Sequence, residues 1–128
     1  MLLGLRTAIY RTPDLAEGKR WYTKVLGFAP YFDQPFYVGF NVGGYELGLL
    51  PDATQSTAGA YWGVADIAGA FARLQELGAQ PRTEITDVGD GIRTADVLDP
   101  WGNVFGIIEN PNFDSSERMG SERMGAAK

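Results

Sequence analysis

Glu46 is the residue that type and position mark most clearly for chemistry. It stands in the strand-like run Tyr45-Glu46-Leu47-Gly48-Leu49-Leu50, where alternation puts Glu46, Gly48 and Leu50 on one face. Partial burial on such a face disfavours the charged form and raises a carboxyl pKa, which would poise Glu46 as a general base near neutral pH. Tyr61 is the candidate acid beside it, on position alone. The plainer role for Glu46 is an ion pair with Arg11 or Arg93, which would satisfy a buried charge without catalysis. No second carboxylate falls at a spacing that completes an acid–base pair.

The chain contains no histidine and no cysteine. The commonest transition-metal ligand and the only side chain that titrates unperturbed near neutrality are therefore missing, as are thiolate chemistry and disulfides. Any catalysis is left to carboxylates, tyrosine, lysine or bound water. Composition narrows the partners further. A length of 128 residues with 45% apolar and 21% charged residues is that of one globular domain. A net charge of −5, with scattered rather than clustered Lys and Arg, disfavours nucleic acid and anionic membranes. The opening MLLGLRTAIY reaches Arg6 too soon for a signal-peptide core, and no apolar stretch approaches the roughly eighteen residues that span a bilayer. A cytoplasmic protein with a small, neutral or cationic ligand is the expectation.

The elements that must position these residues can be read from punctuation and period. Leu5 to Arg11 is extended, Thr12-Pro13-Asp14 ends it, and Asp14 with Glu17 forms a capping box for a helix over Leu15 to Leu26 that stops at Gly27. Three apolar runs follow, Phe28 to Phe32, Phe36 to Val42 and Tyr45 to Leu50, as a meander with turns at Asp33-Gln34-Pro35 and Gly43-Gly44. The programme then repeats: a strand over Gly59 to Val64, a cap at Asp66, a helix with Ile67, Ala70, Phe71, Leu74 and Leu77 on one face, and a stop at Gly78. Strands near Pro81 to Thr86, Gly91 to Leu98 and Asn103 to Glu109 close it, with DVGDG and DPWGN as turns.

Asp14 to Gly27 matches Asp66 to Gly78, and Glu46-Leu47-Gly48-Leu49-Leu50 matches Val104-Phe105-Gly106-Ile107-Ile108. A period of about fifty residues predicts two βαβββ modules, over about 3–51 and 58–110, in a single domain spanning 1–113. Each module has one helix to cover one sheet face, so the other faces are left to enclose a cleft. Inward parity points Thr7, Ile9 and Arg11, and Tyr61 with Gly63, into that cleft, with Phe36 or Tyr37, Phe40 and Trp101 near its walls. Gly48, Gly59, Gly63 and Gly106 make room for a guest. Exposed sheet edges favour a homodimer. Residues 114–128 carry SERMG twice in succession and read as a flexible tail with no chemistry.

The set TAIYRTPDL, RWYTKVLGF, GYELGLL, VADIAGAFARLQELGAQP and LDPWGNVFGIIE resembles the vicinal oxygen chelate superfamily of glyoxalases, bleomycin-resistance proteins and extradiol dioxygenases, over roughly residues 5 to 110. The resemblance implies an α+β fold of two βαβββ modules forming a half-barrel around a cleft, with helices on the outer face. In the family's enzymes it further implies a divalent metal held from the first and last strands of each module. At those positions this chain offers Thr7 where a histidine commonly stands, Gly59 in the second module, Glu46 or, two residues on, Gly48, and Gly106 where a glutamate is usual. One carboxylate and one hydroxyl do not make a typical metal site, so no metal and no cofactor is expected.

Three function classes follow, in this order: a metal-independent protein that binds a small hydrophobic or aromatic molecule, as in bleomycin-resistance-type sequestration; a metal-free lyase or isomerase using Glu46 as base with Tyr61 or Arg11; and a glyoxalase- or dioxygenase-like enzyme that depends weakly on metal. Fold analogy does not separate them, because this architecture hosts unrelated chemistries.

Overall fold

A computed structural model describes residues 1, 3–52, 57 and 59–112. The SERMG duplication and the tail at 114–128 lie outside the described residues. The first module contains β1 (Thr7–Arg11), α1 (Leu15–Leu26), β2 (Phe32–Gln34), β3 (Tyr37–Val42) and β4 (Tyr45–Leu50). The second contains β5 (Tyr61–Gly63), α2 (Ile67–Glu76), β6 (Gln80–Pro81), β7 (Thr86–Gly89), β8 (Ile92–Leu98) and β9 (Val104–Glu109). Their sheets run β1-β4-β3-β2 and β5-β9-β8-β6, with β7 also paired to β8. In each module the first strand lies parallel to the last, and the last pairs antiparallel with the strand before it. The result is an α+β fold of two mixed sheets, neither closed into a barrel.

The helices form where their caps dictate. Asp14 accepts from the Glu17 N–H at 3.1 Å and Gly27, at φ 86°, closes α1 by donating to the Thr23 carbonyl at 2.8 Å. Asp66 caps α2, and Glu109 at the end of β9 accepts from the Ile67 N–H at 2.9 Å, which fixes the helix to its own sheet. Among the described residues no helix is long and apolar enough to cross a membrane.

Alternation then sorts the strands. Ala8, Tyr10, Val38, Phe40, Leu47 and Leu49 of the first sheet, and Ala95, Val97, Phe105 and Ile107 of the second, are buried on the helix-covered faces. Their interleaved neighbours lie on the helix-free faces. Phe40 is thus a core residue with no exposed surface, packed edge-on to Phe28, and does not line the cleft as the sequence suggests. The run Phe36 to Val42 is apolar at both parities, so pattern alone could not choose a face.

The modules lock together through polar hubs on the helix side. Asp99, in the DPWGN turn, accepts from the Tyr22 hydroxyl of α1 at 2.7 Å, from the Trp101 and Asn103 N–H groups, and from Asn103 Nδ2 at 2.7 Å. Asn103 in turn accepts from the Arg11 N–H at 3.0 Å and donates to the Arg11 carbonyl at 2.7 Å, which joins the two modules backbone to side chain. Trp101 stacks on Tyr22 and meets Trp21 edge-on, so it belongs to this helix-side cluster and not to the cleft wall. Across the module boundary, Trp62 Nε1 donates to the Tyr10 hydroxyl and Trp21 Nε1 to the Leu77 carbonyl.

Two strands differ from expectation. The run Phe28 to Phe32 becomes strand only at Phe32, because Gly27 leaves the helix left-handed and Pro30 has no N–H to donate. The run Pro81 to Thr86 splits into β6 and β7, because Thr83 Oγ1 accepts from the Asp96 N–H at 2.8 Å while the Arg82 and Thr83 N–H groups both turn to the Asp96 carbonyl.

Candidate functional site

On the helix-free face of the first sheet, parallel pairing sets Thr7 beside Glu46, and antiparallel pairing sets Asn41 on the other side of Glu46. The Glu46 carboxylate is gripped by hydroxyls. Thr7 Oγ1 donates to Oε1 at 2.9 Å, Tyr31 Oη donates to Oε2 at 2.5 Å, and the Tyr37 hydroxyl is a third partner. Gly39 makes room for this, since a Cβ there would stand 2.6 Å from Glu46 Oε2 and 3.1 Å from the Tyr31 ring.

This environment reverses the expected acid–base character. Partial burial pushes the Glu46 carboxyl up, but the hydrogen bonds from Tyr31, Thr7 and Tyr37 outweigh it and hold the group below its ordinary value of 4.5. The bond to Glu46, then slight desolvation, raises Tyr31; burial followed by the same carboxylate raises Tyr37 well above an ordinary phenol. Glu46 is therefore an ionised acceptor and not the raised-pKa base expected from burial alone. The ion pair with Arg93 is also absent, because Arg93 pairs with Glu109 at 2.9 Å.

Two of the in-strand glycines, Gly48 and Gly106, do not leave empty slots, whereas a Cβ at Gly63 would meet nothing within 4 Å. At Gly48 a Cβ would meet the Tyr37 hydroxyl and ring carbon at 2.1 and 2.8 Å and Ile9 Cδ1 at 2.9 Å. At Gly106 it would meet the Ala60 carbonyl at 2.6 Å and the Tyr61 ring at 2.8 Å. Gly48 and Gly106 pair with Ile9 and Tyr61 in their respective sheets, so the two modules repeat one arrangement: a glycine floor covered by a neighbour's side chain. The room that the sequence assigns to a guest at these two points is taken by Tyr37 and Tyr61.

Of the remaining sequence candidates, Thr7, Ile9 and Tyr37 come together with Glu46 and Gly48, and Tyr61 covers Gly106. Arg11 lies at the exposed end of β1, where its backbone serves Asn103. Gly59 precedes β5 in a turn at φ 74°, with nothing within 4 Å of a Cβ, and so does not repeat the strand position of Thr7. No hydrogen bond among the described residues joins Tyr61, on the second sheet, to Glu46, on the first.

Sequence reading missed two groups. Tyr31 reaches Glu46 from just before β2, a contact whose signal is Gly39, the small residue across which the two side chains meet. Asp96 pairs with Gly106 on β8, on the helix-free face; it is 7% exposed, its Oδ2 accepts from Arg82 at 2.9 Å, and its Oδ1 is buried with no hydrogen-bond partner. Nothing in the spacing of Asp96 separates it from a solvated acid, because its burial comes from the Arg82-Thr83 turn folding over it.

A metal of the kind that glyoxalase-type enzymes use does not fit these residues. Thr7 spends its hydroxyl on Glu46, the positions of Gly48, Gly59 and Gly106 supply no donor atom, and no group of three or more carboxylates among the described residues converges.

Fold and site together define a paired-βαβββ protein with a tyrosine-lined, carboxylate-bearing open face. The family model for the Glyoxalase/Bleomycin resistance protein/Dioxygenase superfamily matches residues 4–107, and the chain belongs to that superfamily. No curated protein matches it by sequence. Among solved structures it is similar to a superfamily member from Sphaerobacter thermophilus DSM 20745, at 21% identity and TM-score 0.71 over 86% of this chain and 99% of that one. It is also similar to lactoylglutathione lyase from Agrobacterium tumefaciens, at 19% identity and TM-score 0.67 over 88% and 98%. The oxidase ChaP-H2 matches at 21% identity and TM-score 0.63 over 87% and 96%. At these identities the likeness is one of fold.

Proposed function

We propose that the protein binds a small hydrophobic or aromatic molecule on its helix-free face without a metal, in the manner of resistance-type sequestration proteins. The observation that carries this reading is the replacement of donor atoms by ring surface. At Gly48 and Gly106, a tyrosine from a neighbouring strand stands where a ligating side chain would begin. Tyr31, Phe32, Phe36 and Tyr61 remain 37–64% exposed, and the rings of Tyr31, Phe36 and Tyr37 gather around Phe32 with centroids 5.9–6.4 Å from its own. Such a cluster of rings offers offset and edge-on contacts to a flat guest. A lyase or isomerase with Glu46 as base has against it a carboxyl whose pKa is held below the ordinary value by three hydroxyl donors.

The test is native mass spectrometry of the purified protein with a panel of aromatic compounds, before and after exhaustive chelation. Binding that survives chelation, with each compound recovered unchanged, is the expected result. Turnover of a compound, or binding restored only by a divalent metal, overturns the reading.

A further inference from the structure

The end of the first sheet carries a cavity whose chemistry is more specific than an apolar cleft. About 320 Å³ of open space is lined by Arg6, Tyr31, Asn41, Gly44, Tyr45 and Glu46, which is within the range that accepts a small molecule. We propose that this cavity takes the cationic end of an amine-bearing aromatic ligand, with the ammonium set against Glu46 and the ring of Tyr31. The proposal rests on the aromatic-binding reading above and names the ligand class for it.

Three observations carry it. First, Glu46 is an anion stabilised by neutral donors only: its partners are the hydroxyls of Thr7, Tyr31 and Tyr37, and no guanidinium or ammonium forms an ion pair with it among the described residues. Hydroxyl donors hold a carboxylate in place but leave its charge uncancelled, so a cation that displaces water there gains both Coulomb attraction and a charge-assisted hydrogen bond. Second, Tyr31 donates its hydroxyl to Glu46 and is 64% exposed, so the carboxylate and an open aromatic ring are presented together, a combination that favours organic cations. Third, the chain's net charge of −5 draws cations toward the protein as a whole.

Arg6 supplies the sign test. It lines the same cavity without pairing to Glu46, so it repels an ammonium and would attract a carboxylate. A ligand held as proposed is bound more tightly when Arg6 is removed; a zwitterion that uses both charges is bound less tightly.

The experiment is calorimetric titration of the full chain with 2-phenylethylamine, 2-phenylethanol and 3-phenylpropanoate, three probes that share a ring and differ in charge. The amine is expected to bind about tenfold tighter than the other two, to lose that preference in Glu46→Gln, and to bind more tightly in Arg6→Ala. Added salt should weaken the amine and leave the alcohol unchanged, a readout in the wild-type chain that holds even if Glu46→Gln fails to fold. Equal binding of all three probes overturns the cation assignment and leaves the aromatic reading standing. Weaker amine binding in Arg6→Ala overturns the cation assignment alone, and no binding by any probe at millimolar concentration overturns both.

Discussion

The Tyr31 hydroxyl lies 2.5 Å from Glu46 Oε2, so a residue just before β2 holds the carboxylate of β4 across the strand between them. This bond is one of three that keep Glu46 ionised against its partial burial. Tyr31→Phe should therefore raise the Glu46 carboxyl from its depressed value toward the ordinary 4.5. The measurement is a pH titration of the Glu46 side-chain carboxyl carbon by NMR in both proteins. An unchanged midpoint would show that Tyr31 is not a donor to Glu46 in solution.

The same depression has a consequence for stability. A group whose folded pKa lies below its unfolded one stabilises the fold above the unfolded value and loses that contribution as pH falls through the folded value. Glu46 is accessible to solvent, so the contribution is modest, under about 1 kcal/mol. Urea midpoints of wild type and Glu46→Gln should thus differ at pH 7 and converge as the pH falls below 4.5, the ordinary carboxyl value. A gap that widens on acidification would give Glu46 the opposite shift.

Gly106 is explained by a neighbour's backbone. A methyl there would stand 2.6 Å from the Ala60 carbonyl, an atom that moves only if β5 moves, whereas at Gly63, on the paired strand, it would meet nothing within 4 Å. Gly106→Ala should cost about 1–3 kcal/mol by overpacking. Gly63→Ala should be neutral or stabilising by up to about 1 kcal/mol, through the lost freedom of the unfolded chain. Chemical denaturation of the two variants checks the contrast, and equal effects would refute the close approach.

Much of the fold was legible because its signals are local. Asp14, Glu17 and Gly27 bound α1 at the residues that the structure shows, since caps act within a turn of the helix they end. The repeat of Glu46-Leu47-Gly48 in Val104-Phe105-Gly106 correctly placed the last strand of each module, since each pairs in parallel with its module's first strand. The site was harder to read because it depends on contacts between strands. Phe40 and Tyr37 sit in one apolar run, and only the position of α1 decides that Phe40 goes under it while Tyr37 stays outside. Burial of Glu46 predicts a raised pKa; the three hydroxyls that reverse it come from Thr7, Tyr31 and Tyr37, on three different segments. A glycine in a strand reads as space, but whether that space is open or filled is set by side chains such as Tyr61 that approach from the next strand.

The DPWGN turn should matter for stability and not for ligand binding. Asp99 is 4% exposed and accepts from Tyr22, from the Trp101 and Asn103 backbone, and from the Asn103 side chain. Asp99→Ala strands all these donors at the junction of the modules, and because leaving even one buried donor unsatisfied costs about 1–3 kcal/mol, a loss at or above the top of that range is expected. Tyr22→Phe removes one donor and keeps the ring against Trp21 and Trp101, so about 1–3 kcal/mol is expected. Because Asn103 also ties Arg11 of the first module to the second, the double variant should fall short of the sum of the singles, as shared networks do. Thermal and urea unfolding of the two single variants and the double variant measure this directly. Affinity for aromatic probes in the Tyr22→Phe protein, measured well below its unfolding midpoint, should match wild type, since the Tyr22 side chain lies in the core on the opposite side of the sheets from Glu46. A loss of affinity without a loss of stability would place the ligand on the helix side and remove the basis for assigning it to the open face.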